Sequence, residues 1–175
     1  MMEFVYAYAY FILYAFLGWV CEDLYCGIPA KKFINRGFLY GPYCPIYGVG
    51  ALLVLYPLLF VKDYPILVFI LGVLITSTLE YITSWVMEIL FKTRWWDYSE
   101  RFMNINGRVC LLNSTLFGIM SIVVVYIVHP VIQDIVLDIP LTALMSFLSA
   151  FTIGFGIDCV FTVLALLRRK KVFQK

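Results

Sequence analysis

The chain has 175 residues, of which 63% are hydrophobic and 14% are charged, and its formal net charge is +2. A water-soluble domain of this size could not bury so much apolar surface, so the composition excludes a soluble globular protein and indicates a membrane protein. The small net charge does not suggest nucleic acid as a partner. We therefore expect one transmembrane domain over residues 1–175, with no room for a second, soluble domain.

Five apolar runs qualify as membrane spans, for which about 20 largely apolar residues are needed. In chain order they cover about 4–21, 46–61, 65–91, 111–128 and 140–167. The second run is the shortest and contains Pro57, whereas the third and fifth are long enough to tilt in the bilayer. The predicted fold is an all-α, polytopic membrane helix bundle with about five transmembrane helices.

Basic residues are distributed unequally among the connections between these runs. Twelve of the thirteen Lys and Arg residues fall in alternate connections or in the C-terminal tail, and only Lys62 falls on the other side. Because Lys and Arg are retained in the cytoplasm during insertion, the side with twelve is cytoplasmic. The pattern predicts an external N-terminus and a cytoplasmic C-terminus. The basic run 168–171 is then expected to touch the headgroups of anionic membrane lipids.

The two cytoplasmic connections are longer than the external ones at 62–64 and 129–139. The first, 22–45, holds three prolines and three glycines among aromatic residues, which excludes regular helix throughout. It is also too apolar for an open loop, so we expect a structured interfacial or re-entrant segment. The second, 92–110, interleaves Trp95 and Trp96 with charged residues and predicts a cap on the inner leaflet.

Three predicted helices carry small or polar residues at every fourth position, where side chains are neighbours on the helix surface. The three series are Tyr6, Tyr10, Tyr14, Gly18 and Glu22; Gly72, Thr76, Glu80, Ser84 and Glu88; and Ser146, Ala150, Gly154, Asp158 and Thr162. Small residues at this spacing are typical of packing seams between helices. The carboxylates need a further explanation, because one at the bilayer centre costs about 2.5–3.5 kcal/mol on insertion scales unless paired or protonated.

These acids and the basic residues of the cytoplasmic connections predict a polar cavity open to the cytoplasm. Arginine can hold a phosphate or carboxylate with two hydrogen bonds, so the cavity could take an anionic headgroup or solute. It could equally be a closed network of ion pairs, and Asn113 could be an interhelical hydrogen-bonding residue. Asn106-Gly107 predicts a turn. The candidate ligand-binding residues are Glu22, Arg36, Glu80, Glu88, Arg94, Trp95, Trp96, Asp97, Arg108, Asn113 and Asp158.

Several chemical motifs are missing from the sequence. There is no P-loop, metalloprotease, nucleophile-elbow or dinucleotide motif, so no cofactor is expected. The five cysteines form no C-x-x-C pair, and the single histidine, His129, stands alone on the external side, which disfavours a metal site. These absences disfavour an enzyme, although a membrane enzyme that uses only carboxylates and arginines stays open.

Two stretches carry a family resemblance that extends over essentially the whole chain. Residues 35–48, NRGFLYGPYCPIYG, form the first, and Trp96-Asp97-Tyr98-Ser99 with residues 106–111, NGRVCL, forms the second. Both resemble signatures of the CmpB-like family of bacterial ABC-transporter type IV permeases. The resemblance implies a multi-pass protein of the bacterial cytoplasmic (inner) membrane, with transport as its function. A separate ATPase subunit or a homo-oligomer is then the expected partner.

A weaker similarity is to the VanZ-like membrane proteins, whose pattern has an acid on a span followed by Arg, Asp and Asn-x-x-Gly. Glu88, Arg94, Asp97 and residues 104–107 occur here in that order. This similarity would imply interaction with lipid or cell-envelope headgroups.

The leading hypothesis is a permease-like transport component with a polar, cytoplasm-facing site for a small solute or ion. In it, Glu80 and Asp158 bind or relay a cation or proton, while Arg36, Arg94 and Arg108 hold an anionic group. The alternatives are a protein that binds or modifies lipid headgroups, and a membrane scaffold assembled through the small-residue seams.

Overall fold

The computed structural model describes residues 2–31 and 37–173. These residues form helices α1 (Met2–Ala30), α2 (Pro45–Leu58), α3 (Pro65–Phe91), α4 (Leu111–Val123), α5 (His129–Asp138) and α6 (Leu141–Phe173). Within the described ranges there is no β-strand, and extended pairing is limited to one isolated bridge between Ile105 and Val109. The predicted all-α class is therefore confirmed.

Four stretches of helix are long and apolar enough to cross a membrane: Met2–Tyr25, Pro65–Phe91, Leu111–Asp138 and Leu141–Arg168. The run predicted at 46–61 is a shorter apolar helix, Pro45–Val61, whose end tightens into a 3-10 turn at Leu59–Val61 just after Pro57. Proline supplies no backbone N–H and crowds the preceding turn, so Pro57 removes one backbone hydrogen bond from the last turn of α2. The chain thus has the helices of a multi-pass membrane protein, and its orientation stays a prediction.

The prediction of an external connection at 129–139 is wrong, because His129–Asp138 is helical and continues the fourth span. A π-helical turn, Val124–Val128, links α4 to α5 and ends two residues before Pro130. Pro130 cannot donate to the carbonyl of Tyr126, and the wider π turn accommodates that missing hydrogen bond without ending the helix.

The prediction for 22–45 is correct only in part. Helix α1 runs through Gly27 and Pro29 to Ala30, and Lys31 ends it with a φ of 50°. Residues 37–44 have the irregular backbone that was expected. Arg36 lies outside the described residues.

The chain divides into two compact units, Met1–Val49 with Asp134–Lys175 (unit 1) and Gly50–Gln133 (unit 2). The predicted single domain stays a prediction. In unit 1, the Tyr8 and Thr152 hydroxyl oxygens lie 2.9 Å apart between α1 and α6, and Phe11 meets Phe155 edge to face.

In unit 2, α3 and α4 approach closely through small residues. A Cβ atom added at Gly72 would lie 2.6 Å from Cβ of Ser121. Ser77 donates a 2.7 Å hydrogen bond to Ser114 further along the same contact. This part of the fourth-residue series on α3 is therefore a packing seam, as small residues at that spacing predict.

Candidate functional site

The segment 92–110 of unit 2 folds into a cap held by a tight turn. Asn106 and Gly107 have φ angles of 54° and 68°, and positive φ at both central positions is what a type I′ turn requires. The amide of Ile105 donates to the carbonyl of Val109, and the amide of Arg108 donates to the carbonyl of Ile105, each at 3.0 Å. The turn predicted from Asn106-Gly107 is confirmed.

Hydrogen bonds within the cap explain its motif residues. Asp97 Oδ1 accepts from the Ser99 amide at 3.0 Å and from the Ser99 hydroxyl at 2.5 Å. Asn104 Oδ1 accepts from the Gly107 amide at 3.0 Å. The Ser99 hydroxyl, then its amide, and to a smaller extent the charge of Arg94 lower the pKa of Asp97. Asp97 therefore anchors the backbone of the cap.

Glu88, near the end of α3, brings two arginines of the cap together. Its Oε1 lies 3.0 Å from Arg94 Nε and its Oε2 lies 2.6 Å from Arg108 Nη2. The second contact is an ion pair without aligned hydrogen-bond geometry. Glu88 raises the pKa of Arg94, first through the hydrogen bond and then through its charge. The carboxylate of Glu88 is thus engaged on both oxygens.

Arg108 is the more firmly held of the two arginines, with 11% of its side chain exposed compared with 34% for Arg94. Its Nη1 donates to the Ser84 hydroxyl at 3.3 Å, and its guanidinium carbon lies 5.7 Å from the centre of the Tyr81 ring. The Trp96 indole donates to the Arg108 carbonyl at 2.9 Å. Arg108 therefore joins the cap to α3 through charge, hydrogen bonding and a cation–π contact.

Glu80 lies deeper on α3, is buried, and is reached by a residue of the cap. Tyr98 donates its hydroxyl to Glu80 Oε1 at 3.1 Å, and Asn113 on α4 donates to the Tyr98 oxygen at 2.6 Å. Sequence reasoning included Glu80 and Asn113 among the site residues but missed Tyr98. The signal that could have found it was the Trp-Asp-Tyr-Ser motif, in which Tyr98 follows Asp97.

A cavity of about 300 Å³ opens between the end of α3 and the cap, lined by Trp85, Glu88, Ile89, Lys92 and Arg108. Trp85, Glu88 and Ile89 are spaced i, i+3 and i+4, so they share one face of α3, and Lys92 follows the end of the helix with a φ of 55°. Trp85 and Lys92 were not predicted as site residues. Trp95 was predicted as a site residue but is not among the residues that line this cavity. Its ring packs edge to face with Phe91, at 5.8 Å between centroids.

Asp158 belongs to unit 1 and anchors the irregular segment 37–44. Its carboxylate accepts from the amides of Tyr40 and Gly41 at 3.1 and 2.8 Å, and from the Tyr43 and Thr162 hydroxyls at 2.7 and 3.1 Å. Burial and the hydrogen bond to Asp158 raise the pKa of Tyr43 well above its ordinary value. Four donors on one carboxylate are typical of an anchoring residue.

Glu22 also belongs to unit 1, where its Oε1 accepts a 2.7 Å hydrogen bond from the Tyr47 hydroxyl. The neighbouring Cys44 is buried, and its amide donates to the Ala15 carbonyl at 2.9 Å. Burial, with the charges of Glu22 and Asp23, raises the pKa of the Cys44 thiol to about 11. This thiol is therefore protonated at neutral pH.

The candidate residues thus divide between the units, with Glu22 and Asp158 in unit 1 and the remaining described ones in unit 2. Their predicted roles in ligand binding or ion relay stay predictions. Across the described ranges, no group of three or more His, Cys, Asp or Glu side chains is arranged to hold a metal ion.

Residues 9–163 match the protein family described as "Putative ABC-transporter type IV". The chain belongs to this family. No curated protein and no solved structure matches the chain. The family and the four long apolar helices together indicate that the chain is a multi-pass integral membrane protein of transport type. The matched range takes in the cap and the segment anchored by Asp158.

Proposed function

We propose that this chain is the permease-like component of an ABC-type transport system in the bacterial cytoplasmic membrane. In this proposal the cavity at the cap, lined by Trp85, Glu88, Ile89, Lys92 and Arg108, binds an anionic group of a small solute on the cytoplasmic side. The observation that carries the proposal is the balance of charge around this cavity.

Positive charge exceeds negative charge at the cavity wall. Lys92 and Arg108 both line it, whereas Glu88 is the one acidic residue that lines it in the described part of the chain. Both oxygens of Glu88 already contact arginines, and Arg94 supplies one of those contacts from outside the lining. Lys92 forms no ion pair within the ranges that the structure describes. Its ammonium group therefore has donors to offer a phosphate, sulfate or carboxylate oxygen.

The size and the remaining walls of the cavity limit the solute. A volume of about 300 Å³ is at the lower end of small-molecule sites, and Trp85 and Ile89 supply apolar surface beside the cations. These features favour a compact anion rather than a long chain.

The test is a calorimetric titration of the protein in lipid nanodiscs with inorganic phosphate, sulfate and citrate. Binding of at least one of these anions is expected. Lys92→Gln should weaken it about tenfold or more, because a hydrogen bond to a charged group contributes roughly 1.5–3 kcal/mol.

The matched control is Arg101→Gln, which removes one positive charge from an exposed cap residue that does not line the cavity. It should leave anion binding unchanged. Absence of binding by all three anions, or equal binding by wild type and Lys92→Gln, would contradict the proposal.

A further inference from the structure

A second cavity, of about 500 Å³, lies within unit 1 beside the C-terminal half of α6. Its lining residues are Tyr40, Asp158, Phe161, Leu164, Ala165 and Arg168. Phe161, Leu164, Ala165 and Arg168 are spaced i, i+3, i+4 and i+7, so they form one face of α6. Tyr40, from the irregular segment, forms the other wall. The cavity is therefore a groove along a membrane helix.

The chemistry of this groove changes along its length. Phe161, Leu164 and Ala165 make its middle apolar, and Arg168 closes one end with a positive charge. Arg168 directly follows the apolar run that ends at Leu167, and a basic side chain at the end of a membrane helix reaches the level of the lipid headgroups. The sequence continues with Arg169, Lys170 and Lys171, so this end of α6 is strongly basic.

Asp158, at the other end, does not oppose an anionic ligand at Arg168. Ten residues separate the two positions on α6, or about 15 Å at 1.5 Å per residue. The Asp158 carboxylate also accepts four hydrogen bonds, including those from the Tyr40 and Gly41 amides, which offset its charge. An anion at Arg168 and the held carboxylate are therefore compatible.

We propose that this groove binds an anionic phospholipid, with the lipid phosphate on Arg168 and an acyl chain along Phe161, Leu164 and Ala165. The basic end selects negative charge, and the apolar walls within a membrane span select a hydrocarbon chain. This site uses residues of unit 1 alone, so it stands independently of the anion cavity at the cap.

The test is native mass spectrometry of the purified chain after equilibration with phosphatidylglycerol or with phosphatidylcholine of the same acyl composition. Wild-type protein should retain phosphatidylglycerol in preference. Arg168→Gln should lower its retention about fivefold, since a basic residue near an anionic membrane surface contributes about 1 kcal/mol. Arg168→Lys should retain most of the lipid, which distinguishes loss of charge from loss of folding.

Two further variants separate the charge from the groove. Ala165→Trp fills the apolar part without altering any charge, and it should also lower retention. Arg101→Gln removes a charge from the cap of unit 2 and should have no effect. Glycerol 3-phosphate, which carries the phosphate without an acyl chain, should not displace the bound lipid.

Unchanged phosphatidylglycerol retention in Arg168→Gln and Ala165→Trp would overturn the proposal. Equal losses in Arg168→Gln and Arg101→Gln would also overturn it, because the effect would then be one of net charge. Displacement by glycerol 3-phosphate would show a headgroup site without an acyl groove and would contradict it as well.

Discussion

Gly107 occupies a position in the cap that requires glycine for two independent reasons. Its φ of 68° lies in the left-handed region, where a side chain costs roughly 1–2 kcal/mol. A Cβ atom there would also lie 2.5 Å from Asp97 Oδ1 and in contact with the Ser99 hydroxyl. The turn and the Asp97 anchor therefore both depend on the absence of a side chain at this residue.

Gly107→Ala is expected to lower the free energy of unfolding by about 2 kcal/mol, from the backbone cost together with the steric clash. Thermal unfolding in detergent, followed by tryptophan fluorescence, measures the change. Gly154→Ala is the control, because a Cβ atom at Gly154 meets nothing within 4 Å. Equal melting temperatures for Gly107→Ala and the control would contradict this account of the turn.

Asp97 should make the stability of the cap depend on pH. Its pKa is lowered in the folded protein, chiefly by Ser99, so its carboxylate stabilises the cap above the unfolded pKa of about 3.9. That contribution is lost as the pH falls through the still lower folded pKa.

Asp97→Asn keeps the shape of the side chain but removes its charge. We expect the wild type to melt at a higher temperature than Asp97→Asn at pH 7, and the difference to shrink below about pH 4. A difference that persists unchanged to pH 3, or that is absent at pH 7, would show that the Asp97 charge does not stabilise the cap.

The contact between α3 and α4 depends on small residues that face each other. Gly72→Ala should destabilise unit 2 by about 1–3 kcal/mol, because its Cβ atom would lie 2.6 Å from Cβ of Ser121 and the helices would have to separate. The double variant with Ser121→Gly should recover most of the loss, and thermal melting of the single and double variants measures the coupling. Additive losses would rule out a direct contact between these two positions.

At the level of helices, hydropathy predicted most of the fold, because a bilayer requires long apolar stretches whatever the detailed packing. It failed at 129–138, where His129, Pro130, Gln133 and two aspartates lower the mean hydropathy although the helix continues. The buried residues Val125, His129, Ile132 and Val136 keep a helical spacing through this region, and that spacing was the overlooked signal.

Sequence reasoning named several residues that lie together at the cap but not their individual contacts, and their role in ligand binding stays a prediction. Spacing along α3 placed Glu80 and Glu88 on one series, and Asn106-Gly107 fixed the turn. The pairing of Glu88 with Arg94 and Arg108 depends on the path of the cap, which helical periodicity does not encode. The path of the cap also explains why Tyr98 and Lys92 were missed, whereas Trp85 lies three residues before Glu88 on the same helix face and was overlooked.

The whole molecule should have one orientation in the membrane, set by its basic residues. In a background without native cysteines, Lys62→Cys should react with a membrane-impermeant maleimide in intact cells. Lys92→Cys should react only in inverted vesicles, where the cytoplasmic face is exposed. Labelling of Lys92→Cys in intact cells would reverse the predicted topology and move the cap cavity to the external side.

The central claim is that the chain works as the membrane component of an ABC-type transport system. The most direct test is to purify the tagged chain in mild detergent from the membranes of the cells that naturally make it, and to identify the bound proteins by mass spectrometry. A soluble ATPase at stoichiometric amount, absent from a control purification with another tagged membrane protein, is the expected result. A chain that purifies without any ATPase, even after chemical crosslinking in the membrane, would contradict the claim.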